Sequence, residues 1–123
     1  MSLDKIVLIV DDIYLNRQVL VKSLQNAGYR VLEAENGWDA IRLLEGNDVC
    51  CIFMDIEMPV MNGIEATRYI RSQMSSSKSK VKVFALTAYN NSTVHDYFDL
   101  SVFDGIITKP FSIHQIEKIL SQS

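Results

Sequence analysis

Three nearly unbroken apolar runs limit what this chain can fold into: Ile6–Val10, Val49–Met54 and Val81–Leu86. Neighbouring side chains on a strand point to opposite faces, so runs of this kind are strands covered on both sides. Two further runs, Arg30–Ala34 and Gly105–Thr108, bring the number of strands to five. Between them the period changes. Leu20, Leu24 and Ala27 lie three or four apart, and Gly28 stands where a helix would end. Trp38, Ile41 and Leu44 follow Asn36-Gly37 and stop at Gly46-Asn47. Ile64, Thr67 and Ile70 make a third stripe behind Asn62-Gly63, with Arg68 and Arg71 on other faces. Ile113, Ile116 and Leu120 make the last, with Ser112 as its N-cap. Tyr89–Ser101 reads as a further helix starting near Ser92, and Ser75–Lys80 as a solvated loop.

Strict alternation of strands and helices means a parallel sheet with helices on both faces, joined by right-handed crossovers. The 123 residues suit one core, so residues 1–123 are expected to be a single domain. In such α/β folds ligands sit at the carboxyl ends of the strands, near the point where the strand order reverses. Strand one ends in Asp11-Asp12, strand three in Asp55, strand four in Thr87-Ala88 and strand five in Lys109-Pro110. Each has an ordinary explanation alone: paired aspartates cap turns and helices, and Lys-Pro is a common exit to a loop. Together they occupy four of five strand ends.

Three carboxylates a few ångströms apart repel one another and take up protons unless a cation is present. A hard divalent ion with oxygen ligands resolves the conflict, which points to Mg²⁺, with Mn²⁺ as a substitute, rather than Zn²⁺. Lys109 adds a second positive charge at the same rim. A metal, an ammonium and a hydroxyl around a carboxylate suit a phosphoryl group, whose transfer needs positioning and charge neutralisation. The carboxylate can itself be the nucleophile, giving an acyl phosphate. The apolar run before Asp55 is then a rigid post with the reactive group at its tip.

The net charge of −3 gives no basic footprint for nucleic acid. No apolar run reaches the roughly 18 residues of a membrane span, and the first residues lack the pattern of a secretory signal. Cys50 and Cys51 are adjacent and point to opposite faces, so they read as reduced core thiols in a reducing compartment, with a cytoplasmic location expected. His95 and His114 are isolated surface positions on helices, Trp38 and the five methionines fill core or loops, and Glu65 and Glu117 are solvated helix charges.

The stretches VLIVDD (Val7–Asp12), MDIEMPVMNGIEATRYIR (Met54–Arg71), ALTA (Ala85–Ala88) and TKPF (Thr108–Phe111) resemble the receiver domains of two-component response regulators. The third-strand block and DDIYLNR (Asp11–Arg17) are most similar to receivers of hybrid sensor histidine kinases and phosphorelays. The resemblance implies a flavodoxin-like (βα)5 doubly wound parallel sheet of order 2-1-3-4-5. It implies that Asp55 accepts a phosphoryl group from phosphohistidine on a sensor histidine kinase or histidine phosphotransfer protein. Asp12 and Asp55 would ligate Mg²⁺ directly, Asp11 through water, and Glu57 through its backbone carbonyl. Thr87 and Lys109 would each meet a phosphoryl oxygen, Lys109-Pro110 would be cis, and Met58-Pro59 and Gly63 would shape the loop beyond the acceptor. The product would hydrolyse slowly, at a rate that Glu57 and Tyr89 tune, and would shift a surface around the helix and strand that precede Lys109. A phosphorylation-linked dimer is compatible with this, whereas contact of this domain with nucleic acid or membrane is not expected.

Two positions depart from the family. Ile106 stands where Tyr or Phe is common three residues before the lysine, and Ser101-Val102 replaces a common Ala-Gly pair. A Val at positive φ would be strained, so that helix is expected to end differently. Two other functions suit the same fold: a phosphorylation-independent interaction module, for which Ile106 leaves room, and a flavin or nucleotide binder. The latter needs a Gly/Ser/Thr-rich phosphate loop after strand one, where this chain has Asp11-Asp12.

Overall fold

The five apolar runs form one parallel sheet in the order β2-β1-β3-β4-β5. A computed structural model describes residues 6–88 and 100–122. The strands are β1 (Ile6–Val10), β2 (Arg30–Ala34), β3 (Val49–Asp55), β4 (Lys82–Thr87) and β5 (Gly105–Thr108). The helices are α1 (Tyr14–Asn26), α2 (Gly37–Gly46), α3 (Gly63–Gln73), the single turn α4 (Ser76–Ser79) and α5 (Ile113–Ser121). The helix expected from Ser92, together with His95 and Tyr89, lies outside the described residues.

Alternation along the central strands builds two cores. Val7 and Ile9 of β1 and Cys51 and Phe53 of β3 join Leu20, Val21 and Leu24 of α1 and Ile116 and Leu120 of α5. Leu8 and Val10, with Ile52 and Met54, join Ala40, Ile41 and Leu44 of α2 and Ile64 and Ile70 of α3 on the opposite face. Phe53 stacks on Phe84 with ring centroids 5.6 Å apart, joining β3 to β4. Strand β3, flanked and covered in this way, is the most enclosed element that ends in a carboxylate. At roughly 25 cal/mol per Å² of apolar surface, such burial outweighs any single polar contact in holding the post in place.

The helix ends follow local chemistry. Asn36 Oδ1 accepts the Asp39 N–H at 2.9 Å. Asn62 and Glu65 form a reciprocal capping box at α3, and Ser112 and Gln115 form another at α5. Glu65, read from the sequence as a solvated charge, therefore also closes a helix end. Gly28 takes φ 96°, and the Tyr29 N–H reaches back to the Leu24 carbonyl at 3.0 Å, which turns the chain from α1 into β2.

Several sequence expectations need correction. Val81 is not part of β4, because its N–H closes the preceding turn on the Lys78 carbonyl at 3.2 Å. Ser75–Lys80 is not a plain loop, because the Ser75 carbonyl accepts the Lys78 and Ser79 N–H groups at 3.0 and 2.8 Å and closes the single turn Ser76–Ser79. Strands β3 and β4 each run one residue further, with Asp55 registered against Leu86 and Thr87 against Thr108. Ala27 lies past the end of α1 and is exposed, while Val21 takes the buried place. Trp38 is 43% exposed and packs edge-on against Tyr69 instead of filling the core. Cys51 is buried, with its thiol pushed up by burial, but Cys50 is only half-buried. Arg71 is half-buried and tied down: it donates to the Ser79, Val81 and Val102 carbonyls at 2.8, 2.6 and 3.1 Å and pairs with Asp104 at 2.9 Å. Among the described residues, Val60 alone of the non-glycine positions has positive φ, at 71°, so Val102 carries no such strain.

Gly63 is required by close approach. A Cβ there would lie 2.4 Å from the backbone oxygen of Asp55, which cannot swing aside as a side chain does. The Gly63 N–H also bonds the Ile56 carbonyl at 2.9 Å, so α3 starts directly against the post. Gly63→Ala is expected to destabilise the protein by about 2–3 kcal/mol in urea unfolding, the usual cost of forcing added volume into a packed site. An alanine variant as stable as the parent would show that α3 can move away freely.

Candidate functional site

Parallel strands place their carboxyl ends along one edge, and there the sequence-predicted residues meet. Asp11 follows β1 immediately, and its N–H bonds the Ala34 carbonyl at the end of β2 at 3.1 Å. Its Oδ1 accepts the Ile13 N–H at 2.9 Å, fixing the side chain across the first turn of the loop. Asp55 ends β3, and the next residue continues the ladder, with the Ile56 N–H on the Leu86 carbonyl at 3.1 Å. Carboxylate oxygens of Asp11, Asp12 and Asp55 all lie within 4.8 Å of one another. Asp11 and Asp55 are 1% and 7% exposed, and Asp12 is the most open of the three.

Lys109 supplies the opposing charge. Its Nζ lies 3.7 Å from Asp11 Oδ2 and 3.8 Å from Asp55 Oδ1, bridging the two buried carboxylates. The Lys109-Pro110 bond is cis, as expected. Thr87 is buried at the end of β4, and its carbonyl accepts the Lys109 N–H at 2.7 Å. One lysine against three carboxylates leaves an excess of negative charge. Asp55 is raised from the ordinary carboxylate range to about 6, chiefly by burial and further by Asp11 and Asp12. Lys109 and a hydrogen bond from the Glu57 N–H act in the opposite direction without cancelling the rise.

The Glu57 side chain is exposed, Met58 is buried and Pro59 is exposed beyond β3. Val60 is 83% exposed and, with Asp12, Glu35, Asn36 and Pro59, lines a shallow cavity at the acidic side of the site. On the other side, Asp11 and Lys109 border an apolar groove of about 240 Å³ walled by Val19, Leu20 and Phe111. Ile106, on β5 opposite Ala85, is half-buried and packs on the core of the α2/α3 face.

One participant in this region was not singled out from the sequence. Arg17, buried on α1, donates from Nη1 to the Asp11 carbonyl at 2.7 Å and from Nε to Glu33 at 2.7 Å. A signal existed: Arg17 precedes Leu20, Val21 and Leu24 by three, four and seven residues, which places it on the buried stripe.

Comparison with known proteins agrees with this arrangement. The family model described as the response regulator receiver domain matches residues 7–121. The chain is 34% identical to a probable histidine kinase of rice over 96% of its own length, but that match spans only 14% of the rice protein. The solved receiver domain of a Pseudomonas aeruginosa sensor histidine kinase, with a magnesium ion coordinated in its active-site cleft, is 30% identical. It superposes with a TM-score of 0.86, covering 96% of this chain and 95% of the other. The chemotaxis response regulator CheY4 of Vibrio cholerae gives a TM-score of 0.84 at 30% identity, covering 96% and 97% of the two chains. With its acidic strand-end cluster on a five-stranded 2-1-3-4-5 parallel sheet, this chain belongs to the response regulator receiver domains of two-component signalling.

Proposed function

We propose that residues 1–123 form a single receiver domain that takes a phosphoryl group from phosphohistidine onto Asp55 with Mg²⁺ bound, switches conformation and later releases phosphate. The observation that carries this reading is the enclosed Asp55 carboxylate, raised to about 6 beside Asp11, Asp12 and Lys109. A carboxylate of that basicity is ionised at neutral pH yet more nucleophilic than an ordinary aspartate. In the transfer, an Asp55 oxygen forms the new bond to phosphorus as the bond from phosphorus to the histidine nitrogen breaks. The imidazole leaves with the electron pair and takes a proton from solvent. Lys109 and the Thr87 hydroxyl would hold two of the phosphoryl oxygens. Hydrolysis by water would return the carboxylate and inorganic phosphate.

The donor set fits Mg²⁺. Oxygens on one octahedral ion with bonds of about 2.1 Å lie about 3–4 Å apart, close to the spread of the three carboxylates. Asp12, Asp55 and the Glu57 carbonyl would be direct ligands, and Asp11 would act through water. The ion would supply neutralisation of charge on the carboxylates and the phosphoryl oxygens. The donor would be a sensor histidine kinase or histidine phosphotransfer protein. Exposed Ile13, Tyr14, Leu15 and Val19 beside the site offer such a protein an apolar shoulder. Among the described residues no helix is long and apolar enough to cross a membrane.

Incubation with acetyl phosphate and Mg²⁺ should add one phosphoryl group by intact mass, absent in Asp55→Asn and after chelation. Absence of any adduct together with failure to bind beryllofluoride would leave the phosphorylation-independent interaction module as the reading.

Without metal, Asp55 should also shape stability. Its folded pKa is about 6, above the unfolded value near 4. Between those values the folded state holds more protons than the unfolded one, so stability falls as pH rises through the window from about 4 to 6. At about 1.4 kcal/mol per pKa unit, the cost at neutral pH is on the order of 2–3 kcal/mol. In chelator, Asp55→Asn should therefore melt higher than the parent at pH 7, with the difference shrinking towards pH 4. An equal gap at both pH values would show that ionised Asp55 carries no such cost.

A further inference from the structure

We infer that Arg17 is a positioning residue for the metal site, acting through the backbone of Asp11 rather than by contact with ion or phosphoryl group. The inference rests on the Mg²⁺ reading above. The Asp11 peptide is held from three directions. Its N–H is bonded to Ala34, its carboxylate to the Ile13 N–H, and its carbonyl to Arg17 Nη1 at 2.7 Å. The Arg17 bond is the one that comes from a helix side chain. It fastens the exit of β1, where Asp11 and Asp12 turn off the sheet, to the first full turn of α1.

The arginine is itself locked. Its Nε bonds Glu33 Oε1 at 2.7 Å, the same oxygen accepts Gln18 Nε2 at 2.7 Å, and the Tyr14 ring lies 5.5 Å from the guanidinium carbon. Glu33 stands on β2, paired with Ile9 of β1. Arg17 therefore joins three elements, β1, β2 and α1, at the point where the two loop aspartates leave the sheet. A fork of donors is needed for this, because one group bonds a carbonyl while another bonds a carboxylate. A lysine offers a single point charge and cannot reproduce the geometry.

Charge and geometry predict opposite signs, which makes the inference testable. Removing a nearby positive charge should, by electrostatics alone, tighten binding of a cation to the acidic cluster. Loss of a hydrogen bond that orients the backbone carrying Asp11 and Asp12 should weaken it, by no more than the lower end of the roughly 10–100-fold lost when a group bonded directly to a metal ligand is removed.

The experiment is calorimetric titration of the whole protein with Mg²⁺ for the parent, Arg17→Gln, Arg17→Lys, Glu33→Gln and Asp12→Asn, beside metal-free melting curves. The expected result is about tenfold weaker Mg²⁺ binding in both Arg17 variants, with a smaller loss in Glu33→Gln, where the bond to the Asp11 carbonyl survives. Unchanged or tighter binding in a folded Arg17 variant would overturn the inference, even if that variant melted lower. Should Arg17→Gln not fold, Arg17→Lys keeps the charge and decides by the same titration. If the parent itself gave no Mg²⁺ signal, or Asp12→Asn bound as the parent does, the metal reading would fail instead.

Discussion

Repulsion among Asp11, Asp12 and Asp55 is the constraint around which the rest of the molecule is arranged. The parallel sheet brings the ends of β1 and β3 side by side, and covering helices keep two of the three carboxylates from water. Neither feature lets the charges move apart. Lys109, arriving from β5, lies within 4 Å of both buried carboxylates but is one charge against three. Burial is the chief cause of the raised Asp55, and the neighbouring aspartates add to it against the pull of Lys109; on the proposed reading a divalent cation would relieve both.

The post that carries Asp55 has little freedom to relieve this strain. Ile52, Phe53 and Met54 are fully buried, and Phe53 is stacked on Phe84 of the next strand. Beyond Asp55, Gly63 brings the start of α3 against its carbonyl, so the chain cannot back away in that direction. At the opposite end of the sheet Arg71 binds the Val81 and Val102 carbonyls and Asp104, and Asp104 in turn accepts the Val83 N–H at 2.8 Å. This cross-brace fixes where β4 and β5 begin. Rigidity at both ends of the strands confines adjustment to the loops at the carboxyl edge.

The strand pattern was legible because strands buried on both faces need apolar residues in succession, and few other structures do. The site was legible because parallel strands convert order along the chain into adjacency at one edge, so the sequence alone places Asp11, Asp12, Asp55, Thr87 and Lys109 at a common rim. What escaped was set by contacts remote in sequence. Arg17 was not singled out, because the groups that hold it, Glu33 and the Asp11 carbonyl, meet it only in the fold. Arg71 was assigned to an outer face, yet its guanidinium reaches backbone up to 31 residues away. Val60 at φ 71° had no local signal, since a β-branched residue is the least expected occupant of that region. Trp38, read as filling core or loop, stands at the start of α2, half open beside Tyr69.

A backbone hydrogen bond links the two residues that, on the proposed reading, would hold the phosphoryl oxygens. The Lys109 N–H donates to the Thr87 carbonyl at 2.7 Å, closing the last rung between β4 and β5. Any shift of the β4 end toward a phosphoryl group is therefore felt at the base of the lysine. Ile106 lies three residues before Lys109, opposite Ala85, and packs into the core on the α2/α3 face. An aliphatic side chain there cannot report such a shift by swinging a ring between two pockets. On the proposed reading, the β4–β5 rung would carry a shift at the end of β4 to the backbone of Lys109.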